Sequence, residues 1–192
     1  MRVQERIRFS MTRMDVVLPT DRTRLRPFAV SDAESLFAIF RDSDVRRYLL
    51  DDELVTAEWV RDEITSSEFR FAESGTGLWS IQLRPGPEVI GFAGFRDFFD
   101  PPQLQLLYGL LPQYWGQGFA TEAAARICEY AFAELDFPAI NSAIDTPNEA
   151  SARVLERLGM KLIRTNDAGV AGTAFYELER DEWLSNLMNG SS

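Results

Sequence analysis

Between Leu104 and Leu135 the hydrophobic spacing changes period across a pair of glycines, and this change restricts the available folds more than any other feature. Leu104 to Leu111 reads as a strand. Thr121 to Leu135 sets Ala124, Ile127, Cys128, Ala131 and Leu135 on one helical face. Between them, Pro112-Gln113-Tyr114-Trp115-Gly116-Gln117-Gly118-Phe119-Ala120 carries the strand through a glycine loop straight into a helix start. The first turn of a helix has main-chain N–H groups without intrahelical partners and the positive end of the dipole. Glycine lets a ligand approach that main chain with no Cβ in the way. The segment is therefore either a tight strand-to-helix turn or an anion cradle of pyrophosphate size. It is not a P-loop, because no Gly-Lys-Ser/Thr follows, and it is not the Gly-x-Gly-x-x-Gly dinucleotide fingerprint.

The flanking pattern surrounds this junction with strands and helices. Thr23 to Phe28 alternates and is stopped by Pro27. Ser31-Asp32-Ala33-Glu34 has the form of a capping box, opening a helix with Leu36, Phe37 and Phe40 on one face. A short helical turn is expected from Asp44 to Leu49. Thr56 is the expected N-cap of a helix to about Phe71, with Trp59, Val60, Ile64 and Phe69 as its apolar positions. Leu78–Leu83 and Val89–Phe95 read as a hairpin turning at Pro85-Gly86-Pro87. After the central helix, Ile140–Ile144 is a short strand. Asn148 caps a helix that ends at Leu158, with Gly159 as its left-handed exit. Met160–Arg164 and Ala174–Leu178 are two further strands, and residues 180–188 a terminal helical turn. The class is α+β, or mixed α/β, around one central sheet. Residues 1–20 read as an N-terminal extension, 21–188 as one domain, and 189–192 as a tail.

Composition narrows the chemistry. No apolar run is long enough to span a membrane, and the opening MRVQERIRFS lacks the apolar stretch of a secretory signal. The chain has one cysteine and no histidine, which leaves no disulfide and no reason to expect a metal centre. Cys128 reads as a small buried hydrophobe rather than a reactive thiol. These features point to the cytoplasm. A net charge of −10 argues against nucleic acid as the main partner. It either suits a cationic acceptor, such as an amine or a basic peptide, or simply serves solubility.

Trp115-Gly116-Gln117-Gly118-Phe119-Ala120-Thr121-Glu122-Ala123 closely resembles the coenzyme A loop of the GNAT superfamily of N-acetyltransferases, in particular its RimJ/RimL branch. Further blocks agree in order: Thr23 to Pro27 with Ser31-Asp32-Ala33, Val89-Ile90-Gly91 with Phe95, Tyr108-Gly109-Leu110, Asn148-Glu149-Ala150-Ser151, Val154 to Met160, and Tyr176-Glu177-Leu178 before Arg180 to Trp183. The resemblance covers about residues 21–184. One departure stands out. Trp115 occupies a position where the superfamily often has arginine or glutamine, so pyrophosphate binding would rest on main-chain N–H groups.

The resemblance implies a mostly antiparallel seven-stranded sheet splayed between its fourth and fifth strands and flanked by helices. It implies acetyl-CoA as co-substrate, with no metal. The pantetheine arm would lie along the edge of the fourth strand at Leu110 and Leu111, and the pyrophosphate on Gly116, Gln117, Gly118, Phe119, Ala120 and Thr121. Asn148 would meet the arm from the other side. A primary amine, either a protein N-terminus or a small molecule, would attack the thioester directly. A main-chain N–H near Leu110 would stabilise the oxyanion, and Ser151 would protonate the leaving thiolate. Tyr108 is the other candidate acid, and Asp145 the candidate base. Ser151 and Asp145 also have plain readings as a helix-start serine and a turn residue. Glu122 reads as structural. The aromatic residues Trp79, Phe92, Phe95, Phe98 and Phe99 either line an acceptor pocket or form core. Family habit suggests a homodimer. The alternative function is a non-catalytic module that binds or senses acyl-CoA.

Overall fold

The computed structural model describes residues 16–167 and 172–189. Strands β1 (Leu18–Pro19) and β2 (Thr23–Pro27) precede helices α1 (Ala33–Arg41), α2 (Ser43–Arg46) and α3 (Ala57–Ser74). Strands β3 (Leu78–Leu83), β4 (Val89–Phe98) and β5 (Gln103–Leu110) then run in succession into α4 (Phe119–Ala133). The chain closes with β6 (Ala139–Asp145), α5 (Glu149–Arg157), β7 (Lys161–Asn166), β8 (Thr173–Glu179) and α6 (Arg180–Asn189).

The strands form two sheets, ordered β1-β2-β3-β4-β5 and β6-β8-β7, and every pairing is antiparallel. All seven expected strands are present, and the splay falls where it was expected, between β5 and β6. The separation goes further than a widened gap, because no ladder joins these two strands. The first sheet also starts earlier than Thr23. Leu18 and Pro19 pair with Leu25 and Arg24, and the Trp79 indole donates to the Val16 carbonyl at 2.9 Å.

Successive strand residues point to opposite faces, and both faces of the first sheet are covered. Leu25, Trp79, Ile81, Ala93, Phe95 and Leu106 pack with Ala124, Ile127 and Ala131 of α4. On the other face Leu78 and Phe92 pack with Leu36 and Phe40 of α1 and Val60 and Ile64 of α3. Trp79 and Phe92 are fully buried, and each large side chain removed from water contributes about 1.5–3 kcal/mol.

Two local expectations are corrected. The helix after Val30 is not opened by a box of Ser31 and Glu34. Asp32 is the organising residue: its carboxylate accepts from the Ala29 N–H at 3.1 Å and the Ser80 hydroxyl at 2.7 Å and pairs with Arg26. On α3, Thr56 caps as expected, accepting from the Trp59 N–H at 3.1 Å. Its buried line, however, runs Val60, Ile64, Ser67, Phe71, while Phe69 stands 61% exposed. The spacing of three and four residues from Ile64 selects Phe71 rather than Phe69.

Candidate functional site

The splay leaves one edge of β5 without a strand partner. Leu111 N–H bonds the Ile90 carbonyl at 2.9 Å, and Gly109 and Leu107 face Phe92 and Gly94 in unbroken register. With the two-residue period of an antiparallel ladder, Gly109 and Leu111 turn their main-chain groups toward β4, and Leu106, Tyr108 and Leu110 turn theirs toward β6. The Ser142 hydroxyl of β6 donates to the Leu106 carbonyl at 2.8 Å and pins one end of the gap. Beyond it the strands part, and a cleft of about 810 Å³ opens.

At the open end the chain turns through Pro112–Tyr114 into the glycine loop. Gly116 and Gly118 sit at φ +70° and +83°, the left-handed region that glycine occupies without strain. A Cβ on Gly116 would meet nothing within 4 Å, so its open side faces free space. From Gly116 to Thr121 no main-chain N–H has an acceptor among the described residues. Helices α2, α3 and α5 are each capped by a side chain, from Asp42, Thr56 and Asn148, whereas α4 begins at Gly118 with no side-chain cap. The Thr121 hydroxyl oxygen is buried and has no hydrogen-bond partner among the described residues. Unpartnered donors at a helix start, beside a buried hydroxyl, form a site that an anion completes.

Trp115 and Arg22 hold this loop in place. The Trp115 indole donates to the Leu110 carbonyl at 2.6 Å, so this residue ties the loop back onto β5. The Leu110 N–H remains as the donor on that edge. Arg22 reaches the loop from the start of β2. Its main-chain N–H and Nε donate to the two Glu122 carboxylate oxygens at 2.9 and 2.7 Å, and one terminal nitrogen donates to the Gln117 carbonyl at 2.8 Å. The guanidinium also lies 4.2 Å from the Phe119 ring centroid. Burial pushes the Glu122 pKa up, but hydrogen bonds from Thr20 and Arg22 and the Arg22 charge outweigh it, so the net shift is down. Glu122 is therefore held by Arg22 at the base of the loop. Arg22 was not foreseen, because nothing local signals a contact across a separation of 100 residues.

The opposite wall is α5 with the end of β6. Asn148 caps α5, its Oδ1 accepting from the Ser151 N–H at 3.1 Å. The Tyr108 hydroxyl crosses the cleft and donates to the Ser151 carbonyl at 3.1 Å. Burial holds the Tyr108 pKa well above the ordinary phenol value, so it keeps its proton throughout the neutral range. Asp145 ends β6, its carbonyl accepting the Asn148 N–H at 2.9 Å.

Ten of the twelve residues singled out from sequence line this one cleft: Tyr108, Leu110, Gly116, Gly118, Phe119, Ala120, Thr121, Asp145, Asn148 and Ser151. Leu111 and Gln117 do not. Leu111 packs beside the core under α1 and α3, with its N–H on Ile90. Gln117 is exposed, its side chain folded back onto the Gln113 carbonyl at 2.8 Å. Of the five aromatics, Trp79, Phe92 and Phe95 are core, while Phe98 and Phe99 line the cleft. The cleft also departs from the chain's acidic balance. Its charged lining is Arg96, Arg153 and Arg157 against Asp44 and Asp145, so the wall is net basic although the chain is not. Among the described residues no group of three metal-ligating side chains gathers, and no helix is long and apolar enough to cross a membrane. Cys128 is buried, and burial pushes its thiol up to about 12, which leaves it inert as a nucleophile.

Known proteins share this architecture. The family model for the acetyltransferase (GNAT) domain matches residues 22–161. YoaA of Bacillus subtilis (strain 168), an uncharacterized N-acetyltransferase, is 31% identical over 146 residues, 76% of this chain and 82% of its own. YkkB of the same organism is 33% identical over 153 residues, 77% of this chain and 87% of its own. A GNAT acetyltransferase from Bacillus anthracis superposes with a TM-score of 0.74 at 21% identity, over 87% of this chain and 100% of that one. RimL, a ribosomal L7/L12 α-N-protein acetyltransferase solved with coenzyme A, superposes with a TM-score of 0.75 at 14% identity, over 87% and 99% of the two chains. These two superpositions speak to the fold, and the family match, spanning most of the sequence, carries the assignment: the chain belongs to the GNAT acetyltransferases.

Proposed function

We propose that this protein is an acetyl-CoA-dependent N-acetyltransferase that acetylates a primary amine by direct attack. The observation that carries the reading is the start of α4. Six consecutive residues, Gly116 to Thr121, present N–H groups without partners among the described residues, beside the buried Thr121 hydroxyl, which has none there either, and the unpaired edge of β5 leads away from them. That combination fits a pyrophosphate followed by an extended pantetheine arm, which would add to the β5 edge like a further strand. Leu110, Gly116, Gly118, Phe119, Ala120 and Thr121 would hold the co-substrate. Leu111 and Gln117 would serve through the loop's shape. Asn148 would meet the arm with its amide nitrogen, its oxygen being engaged as a cap.

Acetyl-CoA supplies the acetyl thioester. The amine nitrogen bonds to the carbonyl carbon, the C–S bond breaks, the amine gives up a proton and the thiolate takes one up. Ser151 stands at the start of α5 to protonate the thiolate. Tyr108, protonated and hydrogen-bonded to the same residue, is the second acid. Asp145, at the cleft end of β6, is the base. Cys128 is sealed in the core and does not serve as the nucleophile of a covalent acetyl-enzyme.

The branch is RimJ/RimL-like and the setting cytoplasmic. The acceptor is a protein N-terminus, as the RimL neighbour's name describes for its own substrate, or a small amine. Release of coenzyme A thiol from acetyl-CoA, measured with a panel of peptides, polyamines and small amines, tests the reading. Thiol release that requires one class of amine is expected. Tight acetyl-CoA binding with no amine-dependent release would instead favour a sensor.

A further inference from the structure

At the closed end of the cleft, opposite the glycine loop, two side chains lie side by side whose chemistry the cofactor does not use. Arg96 of β4 and Gln105 of β5 are register partners, so they share the sheet face that α3 covers, and both line the cleft. Gln105 lies five residues before Leu110, about 17 Å along an extended strand. That distance places it past the Ser142 tie, beyond the stretch of free β5 edge.

The charges at this end do not balance. Glu63 of α3 is nearly buried and accepts from two guanidiniums, Arg70 at 2.9 Å and Arg96 Nε at 3.1 Å. One carboxylate against two cations leaves a net positive charge in a site where Arg96 is only 23% exposed. Among the described residues the two terminal nitrogens of Arg96 have no hydrogen-bond partner, and its guanidinium stacks 4.9 Å from the Phe98 ring centroid. Asp44, the acidic side chain that α2 adds to the cleft lining, is half exposed and turned to Arg47 at 3.7 Å. Gln105 is 4% exposed, and its Oε1 is buried with no partner. A partly buried guanidinium with free terminal N–H groups matches a carboxylate in a bidentate pair. A buried amide oxygen beside it needs an N–H donor. Val45, Leu49, Phe98 and Phe99 line the same cleft.

We propose that the acceptor amine carries a carboxylate, which Arg96 receives while Gln105 takes an N–H of the same molecule. The acceptor class is then an amino acid or a similar amino acid-like carboxylate with an apolar body, and not a polyamine, whose second ammonium would be driven toward Arg96. This inference rests on the acetyl-transfer reading for its chemistry but not for its binding site.

The test uses matched pairs of amines: leucine, phenylalanine, methionine and tryptophan, each against the amine left by removing its carboxylate. For the wild type, kcat/KM is expected to favour the carboxylate member of the active pairs. Arg96→Gln leaves Glu63 paired with Arg70. It should lower kcat/KM for the carboxylate acceptors about 30- to 100-fold, the loss expected for a charged hydrogen-bonded pair. The decarboxylated amines should change less than about threefold, and the acetyl-CoA KM should hold. Gln105→Glu, which sets an anion beside an intact Arg96, should lower the same acceptors. Equal use of both members, or an Arg96→Gln loss that is the same for both, overturns the proposal. If no amine releases thiol, acetyl transfer fails, and the site is judged by thermal unfolding of the coenzyme A-loaded protein. Carboxylate amines should raise the melting temperature of the wild type and not of Arg96→Gln. No shift with any of them overturns the carboxylate site as well.

Discussion

Thr121 has the wrong environment for a residue that only builds structure. A buried hydroxyl without a partner costs about 1–3 kcal/mol, and no bond in the free protein offsets it. Thr121→Val keeps the shape and removes the hydroxyl. The variant should be more stable than wild type to urea in the absence of ligand, by about 1 kcal/mol, and should bind acetyl-CoA about tenfold more weakly by calorimetry. A residue that lowers stability and raises affinity in this way is the mark of a binding position. Ser151 answers to a different measurement. Ser151→Ala keeps the main-chain N–H that Asn148 caps and the carbonyl that Tyr108 bonds. Its kcat should fall about 100-fold, the range for losing a general acid, with the acetyl-CoA KM within about twofold. Unchanged turnover would return the proton to Tyr108. Both positions were marked in the sequence by the resemblance of the glycine loop and of Asn148 to Ser151 to the family's motifs. Arg22 and Arg96 were not, because each pairs with a carboxylate on another element, and Gln105 was not, because only the β4–β5 register sets it beside Arg96.

The glycine loop works as an element only because β2 braces it. Glu122 sits in the first turn of α4, where a bare carboxylate would repel any anion drawn to the helix start. Arg22 neutralises it and fixes the Gln117 carbonyl away from the cleft. Arg22→Ala should therefore raise the acetyl-CoA KM several-fold while leaving kcat for bound substrate nearly unchanged, as steady-state kinetics can resolve. The pH dependence has a definite sign. Glu122 has a folded pKa below its unfolded value, so its stabilisation is present above the ordinary carboxylate range and is lost as pH falls through the lowered folded pKa. Glu122→Gln should be less stable than wild type in urea melts near neutral pH, and the two should converge in acid, below about pH 4. A difference that persists or grows in acid would contradict the Arg22 brace. Element boundaries from sequence were accurate where a cap or a glycine set them, as at Thr56, Asn148 and Gly159. They failed where a distant partner decided the outcome. Asp32 displaced the expected box because Arg26 and Ser80, on neighbouring strands, bind its carboxylate.

For the whole molecule, the period change from strand to helix, with three strands before it and a strand–helix–strand run after it, was enough to read an α+β or mixed α/β class around one central sheet, and the flanking helices and the splay came from the family resemblance. Complete separation into two sheets was not readable, since it depends on the absence of a ladder between β5 and β6, and periodicity reports only which residues face inward. Net charge does not describe the site for a similar reason. A total of −10 averages over the surface, whereas the cleft gathers three arginines and two aspartates. The same global packing seals Cys128, so a thiol-reactive reagent should leave the folded protein unmodified and label one site only after unfolding. The unpaired β5 edge gives the account its most direct test, hydrogen exchange at individual amides with and without acetyl-CoA. The amides of Gly109 and Leu111, which face β4, should be protected in both states. Those of Leu110 and of Gly116 to Thr121 should exchange fast in the free protein and slow markedly when acetyl-CoA is added. Exchange at Leu110 and the loop that ignores acetyl-CoA, or protection that appears elsewhere, would contradict the placement of the co-substrate in the splay.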